Sequence, residues 1–391
     1  MDIHHALPLL AGLTPAQFMR RHWQKKPLLV RGAIAGFKPL LSRAELVRLV
    51  AGQEVESRLI LKDNGGWRMK NGPFAARSLP PMSRPGWTLL VQGVDGHHPQ
   101  VHQLLQRFRF VPDARLDDLM ISLASAGGGV GPHFDSYDVF LLQASGRRHW
   151  RIGRQKDLTL QADVPLKILE NFEPEEEFVL EAGDMLYLPP RYAHEGNAQA
   201  MTGPDGKSVD CMTYSIGFKA PAQEELAAEM LHKLAEFNED SEDSRCVPVM
   251  YRDPLQAATP SPAELPESLV KFAGAAVARA LADPLALACA VGEIMTAPKS
   301  QVWFDDALKP WEQLAGQGIR LDARTRMMYD ADHVFINGES YLAKGADANL
   351  MRRLANERSL SPPLLAKSSK SATALLSDWH AAGWIHFSGD N

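Results

Sequence analysis

The sequence predicts an α+β protein in three parts: a β-rich first part, a helical middle and a small mixed module at the C-terminal end. Three observations carry that division. Short β-rich runs, separated by Gly, Pro or Asn-Gly signals, fill the stretch from about Val55 to Lys219. The texture turns helical after Pro221. Beyond residue 300, two strand-like runs, a hairpin signal, two helices and a last strand follow in order. A chain of 391 residues has room for two or three domains.

The first 50 residues read as helices and turns. Thr14-Pro15 is an N-cap with Pro at the first helical position, and Phe18, Met19 and Trp23 supply an apolar face. Ser42-Arg43-Ala44-Glu45 is a capping box for a second short helix. Strands are expected at Arg58–Lys62, Trp87–Gln92, Leu119–Ala124, Val139–Gln143, His149–Ile152, Met185–Leu188 and Met212–Phe218. The middle holds an amphipathic helix over Ala222–Phe237, an acidic loop over Asn238–Arg245, and alanine-rich helices over Glu267–Ala282 and Leu285–Met295. Their low polarity suits either a subunit interface or a private core. In the last part, Met327–Tyr329 and His333–Ile336 read as strands and Asn337-Gly338 as a tight hairpin turn. Helices over Asp347–Glu357 and Ser369–Ala382 and a strand over Trp384–Phe387 complete a winged-helix-like pattern.

Composition excludes several classes. Cys211, Cys246 and Cys289 lie far apart with no CxxC pair, which removes a disulfide framework and a zinc ribbon. The start lacks the basic and apolar regions of a secretory signal. The most apolar stretch, Gly274 to Met295, contains Arg279, Asp283 and Pro284 and is not expected to span a bilayer. A cytoplasmic protein with no membrane association is expected. Net charge is +3 over residues 1–220, −7 over 221–300 and −1 over 301–391. No segment carries the dense basic stripe of a protein bound to phosphate backbone, so direct nucleic-acid binding is not expected.

The chemistry concentrates in two stretches. In Gly131-Pro-His133-Phe-Asp135, side chains two apart on a strand share a face, so His133 and Asp135 can lean onto one ion. The second stretch, Gly183-Asp-Met-Leu-Tyr187-Leu-Pro189-Pro-Arg-Tyr-Ala-His194, is a turn, a strand and a proline-led bend that would aim His194 inward. Two imidazoles and one carboxylate with open positions suit non-haem Fe(II). Two blander readings stay open: histidines satisfied by hydrogen bonds alone, and a zinc or manganese site without oxygen chemistry. Oxygen activation at such iron needs a two-electron co-substrate, usually 2-oxoglutarate, whose distal carboxylate requires a cation. Arg148 in Gly146-Arg-Arg148-His-Trp150 is the candidate, and Arg147, of opposite strand parity, is the solvated neighbour. A structural ion pair is the alternative for Arg148. Ser122 could add a hydroxyl to the same carboxylate. The Gly-rich run before His133 is no phosphate cradle, since it lacks the GK[ST] ending.

These motifs, with Pro189-Pro-Arg-Tyr-Ala-His194-Glu-Gly and Tyr214-Ser-Ile-Gly-Phe218, resemble the JmjC-type ribosomal oxygenases. The likeness is closest to their bacterial branch, the ribosomal protein arginine 3-hydroxylases. It extends over nearly the whole chain, from Phe18–Arg31 to Leu321–Tyr341.

The resemblance implies a double-stranded β-helix (a cupin or JmjC barrel) over residues 1–220, a helical dimerisation domain over 221–300 and a winged-helix-like domain over 301–391. It implies Fe(II) on His133, Asp135 and His194, with 2-oxoglutarate on Arg148 assisted by Ser122. The partner implied is a ribosomal protein substrate, an arginine of large-subunit protein sixteen hydroxylated at its β-carbon, met by a homodimer. Asp118 and Ser215 are substrate-binding candidates by the same resemblance, and Asp118 can equally be a cap residue. Two other functions stay open: a JmjC oxygenase acting on another residue or a methylated lysine, and a non-enzymatic cupin-like binding module.

Overall fold

The computed structural model describes residues 2–64, 66–239, 249–255, 263–311 and 316–388, the side chains of 237–239 excepted. The chain divides into two compact units, Met1–Ala220 with Ser300–Trp303, and Pro221–Lys299 with Phe304–Asn391.

The first unit begins with α1 (Pro15–Arg21) and α2 (Arg43–Leu49); the capping box expected at Ser42 is present, and the N-cap expected at Thr14 is also a full capping box. Thr14 Oγ1 accepts from the Gln17 N–H at 3.1 Å while Gln17 Oε1 accepts from the Thr14 N–H at 3.0 Å. Two otherwise orphaned donors are thereby satisfied. The strands are β1 (Leu28–Val30), β2 (Ser57–Asp63), β3 (Gly66–Asn71), β4 (Trp87–Val91), β5 (Leu116–Ala124), β6 (Asp138–Ser145), β7 (Arg147–Gly153), β8 (Glu176–Leu180), β9 (Met185–Leu188), β10 (Ala193–Gln199) and β11 (Cys211–Phe218). A further helix, α3 (Pro99–Gln106), precedes β5.

An eight-stranded sheet runs β1-β9-β6-β11-β5-β4-β2-β3, and a three-stranded sheet runs β10-β7-β8, with antiparallel pairing throughout. Strand alternation splits the large sheet between two cores. On one face Ile121, Leu123, Phe140, Leu142, Tyr214 and Ile216 join Phe18, Leu46 and Phe108 from the helical segments. On the other, Val139, Leu141, Leu186 and Leu188 meet Trp150, Ile152 and Leu180 of the small sheet. The double-stranded β-helix expected from the sequence is therefore present. Ser122, Gln143, Arg148, Thr213 and Ser215 are buried as well, so the space between the sheets is partly polar.

β1, β3, β8, β10 and α3 were not legible beforehand. The polar stretch between β10 and β11 closes as a small hairpin, with Thr202 bridging Ser208 and the Gly203 N–H donating to Lys207 O at 2.8 Å.

The second unit starts with α4 (Gln223–Glu239), α5 (Glu267–Ala280) and α6 (Pro284–Thr296). The acidic loop expected over Asn238–Arg245 begins with two residues that extend α4; the rest lies outside the described residues. The strands β12 (Ile319–Leu321), β13 (Met327–Tyr329), β14 (His333–Ile336) and β15 (Glu339–Leu342) lead to α7 (Gly345–Glu357), β16 (Ser359–Leu360), α8 (Pro362–Leu365), α9 (Lys370–Ala381) and β17 (Ile385–Phe387). Two three-stranded sheets, β16-β12-β17 and β13-β14-β15, cover a core containing Ile319, Leu354, Leu376, Trp379 and Ile385. Asn337 and Gly338 have φ of 48° and 90°, the paired positive values of the tight hairpin turn expected there. Helix α6 packs on this hairpin. A Cβ at Gly292 would lie 2.3 Å from the Phe335 ring, so only glycine admits that approach. Among the described residues no single helix is long and apolar enough to cross a membrane.

Candidate metal centre

His133 and Asp135 lie on an extended segment before β6, and not within a strand as their spacing suggested. Only His133 pairs, through one antiparallel bridge to His194 near the start of β10. The His133 N–H donates to His194 O at 2.9 Å and the His194 N–H returns to His133 O at 2.8 Å. This bridge sets the two imidazoles side by side, with ring centroids 4.2 Å apart.

Each ring is then turned by its own backbone. His133 Nδ1–H donates to Gly131 O at 3.0 Å and His194 Nδ1–H to Tyr192 O at 2.9 Å. A carbonyl can only accept, so Nδ1 carries the proton and Nε2 keeps its lone pair for a ligand. Asp135 faces both: Oδ1 is 4.0 Å from His133 Nε2 and Oδ2 is 3.6 Å from His194 Nε2. The three residues each offer a donor atom within 4.8 Å of the others, and among the described residues no other such trio of metal-ligating side chains occurs. An ion about 2 Å from every donor fits that spacing. Burial pushes the His194 pKa down to about 4, and His133 beside it adds to the effect against the opposing pull of Asp135. His194 is therefore neutral near pH 7, the form that binds metal. The proline-led bend also holds the carboxylate's backbone, since the Arg191 N–H donates to Asp135 O at 2.7 Å from a left-handed conformation with φ of 63°.

β7 sends its two arginines in opposite directions, as parity predicts. Arg147 is exposed and its Nε meets Glu181 Oε1 at 2.8 Å. Arg148 is only 4% exposed. Its Nη2 reaches Ser122 Oγ at 3.4 Å and its Nη1 reaches Gly196 O at 3.5 Å, both long, while Nε has no partner. Among the described residues no carboxylate pairs with it. A guanidinium so placed carries a large desolvation cost with no counterion to offset it. The cation therefore fits an anion brought from outside, as a dicarboxylate co-substrate would provide. β7 does not return directly beside His133; β10 lies between them, pairing His194 with Ile152, Gly196 with Trp150 and Ala198 with Arg148.

Ser122 is buried, and Asp118 sits on the same strand face four residues earlier. Asp118 is the third residue of β5, where it was expected just before a strand, and its Oδ2 accepts from the Gly93 N–H at 2.9 Å. Ser215 is buried on the neighbouring β11, on the same face as Thr213. Sequence reasoning passed over Tyr137, two residues after Asp135. Tyr137 is 39% exposed, yet its phenol pKa is raised, by desolvation first and then by the charges of Asp135, Asp118 and Asp117. Tyr137 and Asp118 both approach Gly217, where a Cβ would lie 3.9 Å from Tyr137 Cε2 and 3.7 Å from Asp118 Oδ1. The spacing from a metal ligand was the one signal that could have singled out Tyr137.

Comparison with known proteins agrees with this geometry. Residues 103–226 match the JmjC domain family and residues 279–386 match the ROXA-like winged helix. The ribosomal protein uL16 3-hydroxylase of Escherichia coli (strain K12) is 41% identical over 212 residues, covering 54% of this chain and 53% of that protein. The chain thus spans about half the length of the curated relatives it matches. The structure of YcfD, a ribosomal oxygenase from Escherichia coli, in complex with cobalt and succinic acid is 30% identical. It aligns with a TM-score of 0.77 over 96% of this chain and 99% of that one. The same protein in complex with cobalt and 2-oxoglutarate aligns with a TM-score of 0.77, at 29% identity and the same coverage of both chains. A JmjC-domain match, a winged-helix match and a near full-length likeness at 30% identity place the chain in the JmjC-domain ribosomal oxygenase family.

Proposed function

We propose that this protein is an Fe(II)- and 2-oxoglutarate-dependent oxygenase that hydroxylates the β-carbon of an arginine in a large-subunit ribosomal protein. One observation carries the oxygenase reading: a three-donor centre and a buried arginine without a counterion share the interior of one barrel. His133, Asp135 and His194 would hold the metal, and two imidazoles with one carboxylate leave coordination positions open. When bound, iron and 2-oxoglutarate supply the oxidising chemistry.

The chain's own residues bind, orient and exclude water. Gly131 O and Tyr192 O fix the imidazole tautomers, and Arg191 holds Asp135 through its backbone. Arg148, with Ser122, would take the distal carboxylate of 2-oxoglutarate by charge-assisted hydrogen bonds. Asp118 and Ser215 would receive the target guanidinium, with the Tyr137 hydroxyl beside them. The name of the Escherichia coli relative, a ribosomal protein uL16 3-hydroxylase, supports 3-hydroxylation of a ribosomal protein as the reaction. Such a substrate implies a cytoplasmic enzyme. We also infer three domains, 1–220, 221–300 and 301–391, with the helical segment pairing two copies. Val270, Val277, Leu281 and Leu285 are at least 42% exposed and support an apolar interface there.

The test is incubation with Fe(II), ascorbate, 2-oxoglutarate and peptides of large-subunit ribosomal proteins. Peptide-stimulated succinate release with a one-oxygen mass gain on arginine is expected. Oxygen gain on another residue, or loss of a methyl group from lysine, would replace the substrate assignment. Absence of metal affinity would leave only a binding module.

A further inference from the structure

Arg148 is not the sole buried donor in the barrel without a partner. The Nε1–H of Trp150, two residues along β7 on the same inward face, also has none, and Trp150 is 5% exposed. A buried N–H left unpaired costs about 1–3 kcal/mol, so two on one strand face call for a common acceptor.

The strand register says where that acceptor would lie. Along the β7–β10 pair, His194 is opposite Ile152, Gly196 opposite Trp150 and Ala198 opposite Arg148. Trp150 therefore sits midway between the metal centre and the arginine. Its ring centroid is 5.9 Å from that of His194 and 5.8 Å from Arg148 Cζ. Its six-membered ring covers Gly196 so closely that a Cβ there would fall 2.7 Å from two ring atoms. Glycine at 196 thus admits the indole against the partner strand, close to both His194 and Arg148.

We propose that Trp150 is a second binding residue for the 2-oxoglutarate distal carboxylate, its Nε1–H completing a cradle with the Arg148 guanidinium. A carboxylate offers about four acceptor positions, enough for Arg148, Ser122 and the indole together. Nε1 and Nε supply the two hydrogen bonds that the protein leaves unmade. This proposal rests on the oxygenase reading above and assigns Trp150 a role in co-substrate selection.

The experiment is direct binding without turnover, by calorimetry on the full chain loaded with Mn(II). Trp150→Phe keeps the ring and removes only the N–H. It should weaken 2-oxoglutarate binding about tenfold, as loss of one hydrogen bond to a charged group would. Its Mn(II) affinity should equal that of the wild type. 2-Oxopentanoate, which lacks the distal carboxylate, should bind both proteins alike. In the wild type loaded with diamagnetic Zn(II) in place of Mn(II), 2-oxoglutarate should move one ¹⁵N-indole resonance downfield, and the same resonance should be missing from Trp150→Phe. Unchanged 2-oxoglutarate affinity, an equal penalty on 2-oxopentanoate, or an unmoved indole resonance would each overturn the role of Trp150. Arg148→Met keeps the two hypotheses apart. If the wild type and Arg148→Met bind 2-oxoglutarate equally, the oxygenase reading fails first.

Discussion

In the C-terminal unit, buried charge is answered from within the protein. Asp322 accepts from Arg324 Nε at 2.8 Å and lies 2.8 Å from His386 Nε2. Glu293 meets Lys233 Nζ at 3.1 Å and accepts from Ser340 Oγ at 2.6 Å, tying α4, α6 and β15 together. The barrel interior of the first unit treats charge differently. Arg148 is as buried as these carboxylates, yet among the described residues it has no carboxylate of its own. A satisfied network contributes to holding a fold, whereas a buried ion left unsatisfied costs stability and pre-forms a site. The contrast separates structural from functional polar groups without reference to any relative.

The largest effect is expected at the trio itself. Asp135→Ala should lower turnover to below about a hundredth of wild type and weaken Mn(II) binding, because one of three donors is gone. The melting temperature of the metal-free protein should stay close to wild type, since Asp135 is not part of the apolar core. Retained activity would remove Asp135 from the ligand set.

Next comes the direct contrast of the two interiors. Arg148→Met should raise the Kd for 2-oxoglutarate about a hundredfold, as expected for losing a bidentate charged contact. It should leave unfolding stability unchanged or improved, because an uncompensated buried charge is replaced by an apolar chain. Asp322→Ala should do the reverse, costing about 2–3 kcal/mol in denaturant unfolding while sparing co-substrate binding. If both substitutions destabilise equally, the distinction between the interiors is lost. A smaller effect is expected at Asp118→Asn, which keeps an acceptor for the Gly93 N–H. Turnover of an arginine peptide should fall about tenfold with co-substrate affinity unchanged, and unaltered kinetics would discard Asp118 as a substrate contact.

What the sequence disclosed follows the range of the forces involved. The N-cap at Thr14, the capping box at Ser42 and the Asn337-Gly338 turn are settled within four residues, and all formed as read. The convergence of His133, Asp135 and His194 was legible because HxD and the later histidine sit in unusual local settings, and the parity of Arg147 and Arg148 needed only strand alternation. Strand β10 was not legible. Ala193–Gln199 has no β-branched residue, and pairing with β7 makes it a strand. Tyr137 and Trp150 were missed for a related reason. An aromatic residue in a β-rich stretch is ordinary, and only the folded chain brings Tyr137 and Asp118 together at Gly217 and sets Trp150 close to both His194 and Arg148.

The same comparison predicts a small difference in acid. Burial opposes ionisation of Asp322, but hydrogen bonds from His386 and Arg324 outweigh it and hold the carboxyl far below the usual range. A group whose folded pKa is depressed contributes stability that is fully present above its unfolded pKa of about 3.9. That contribution is lost as pH falls through the folded value. Hydrogen exchange of β12 and β17 amides should therefore show opening free energies that decline below about pH 4 in the wild type. Asp322→Asn should start lower near neutrality and change less over the same acid range, because its side chain has no proton to take up. Arg148→Met should follow the wild-type curve, since Arg148 lies in the other unit and among the described residues has no carboxylate partner to protonate. A slope that Asp322→Asn leaves intact would move the acid sensitivity of this unit to another group.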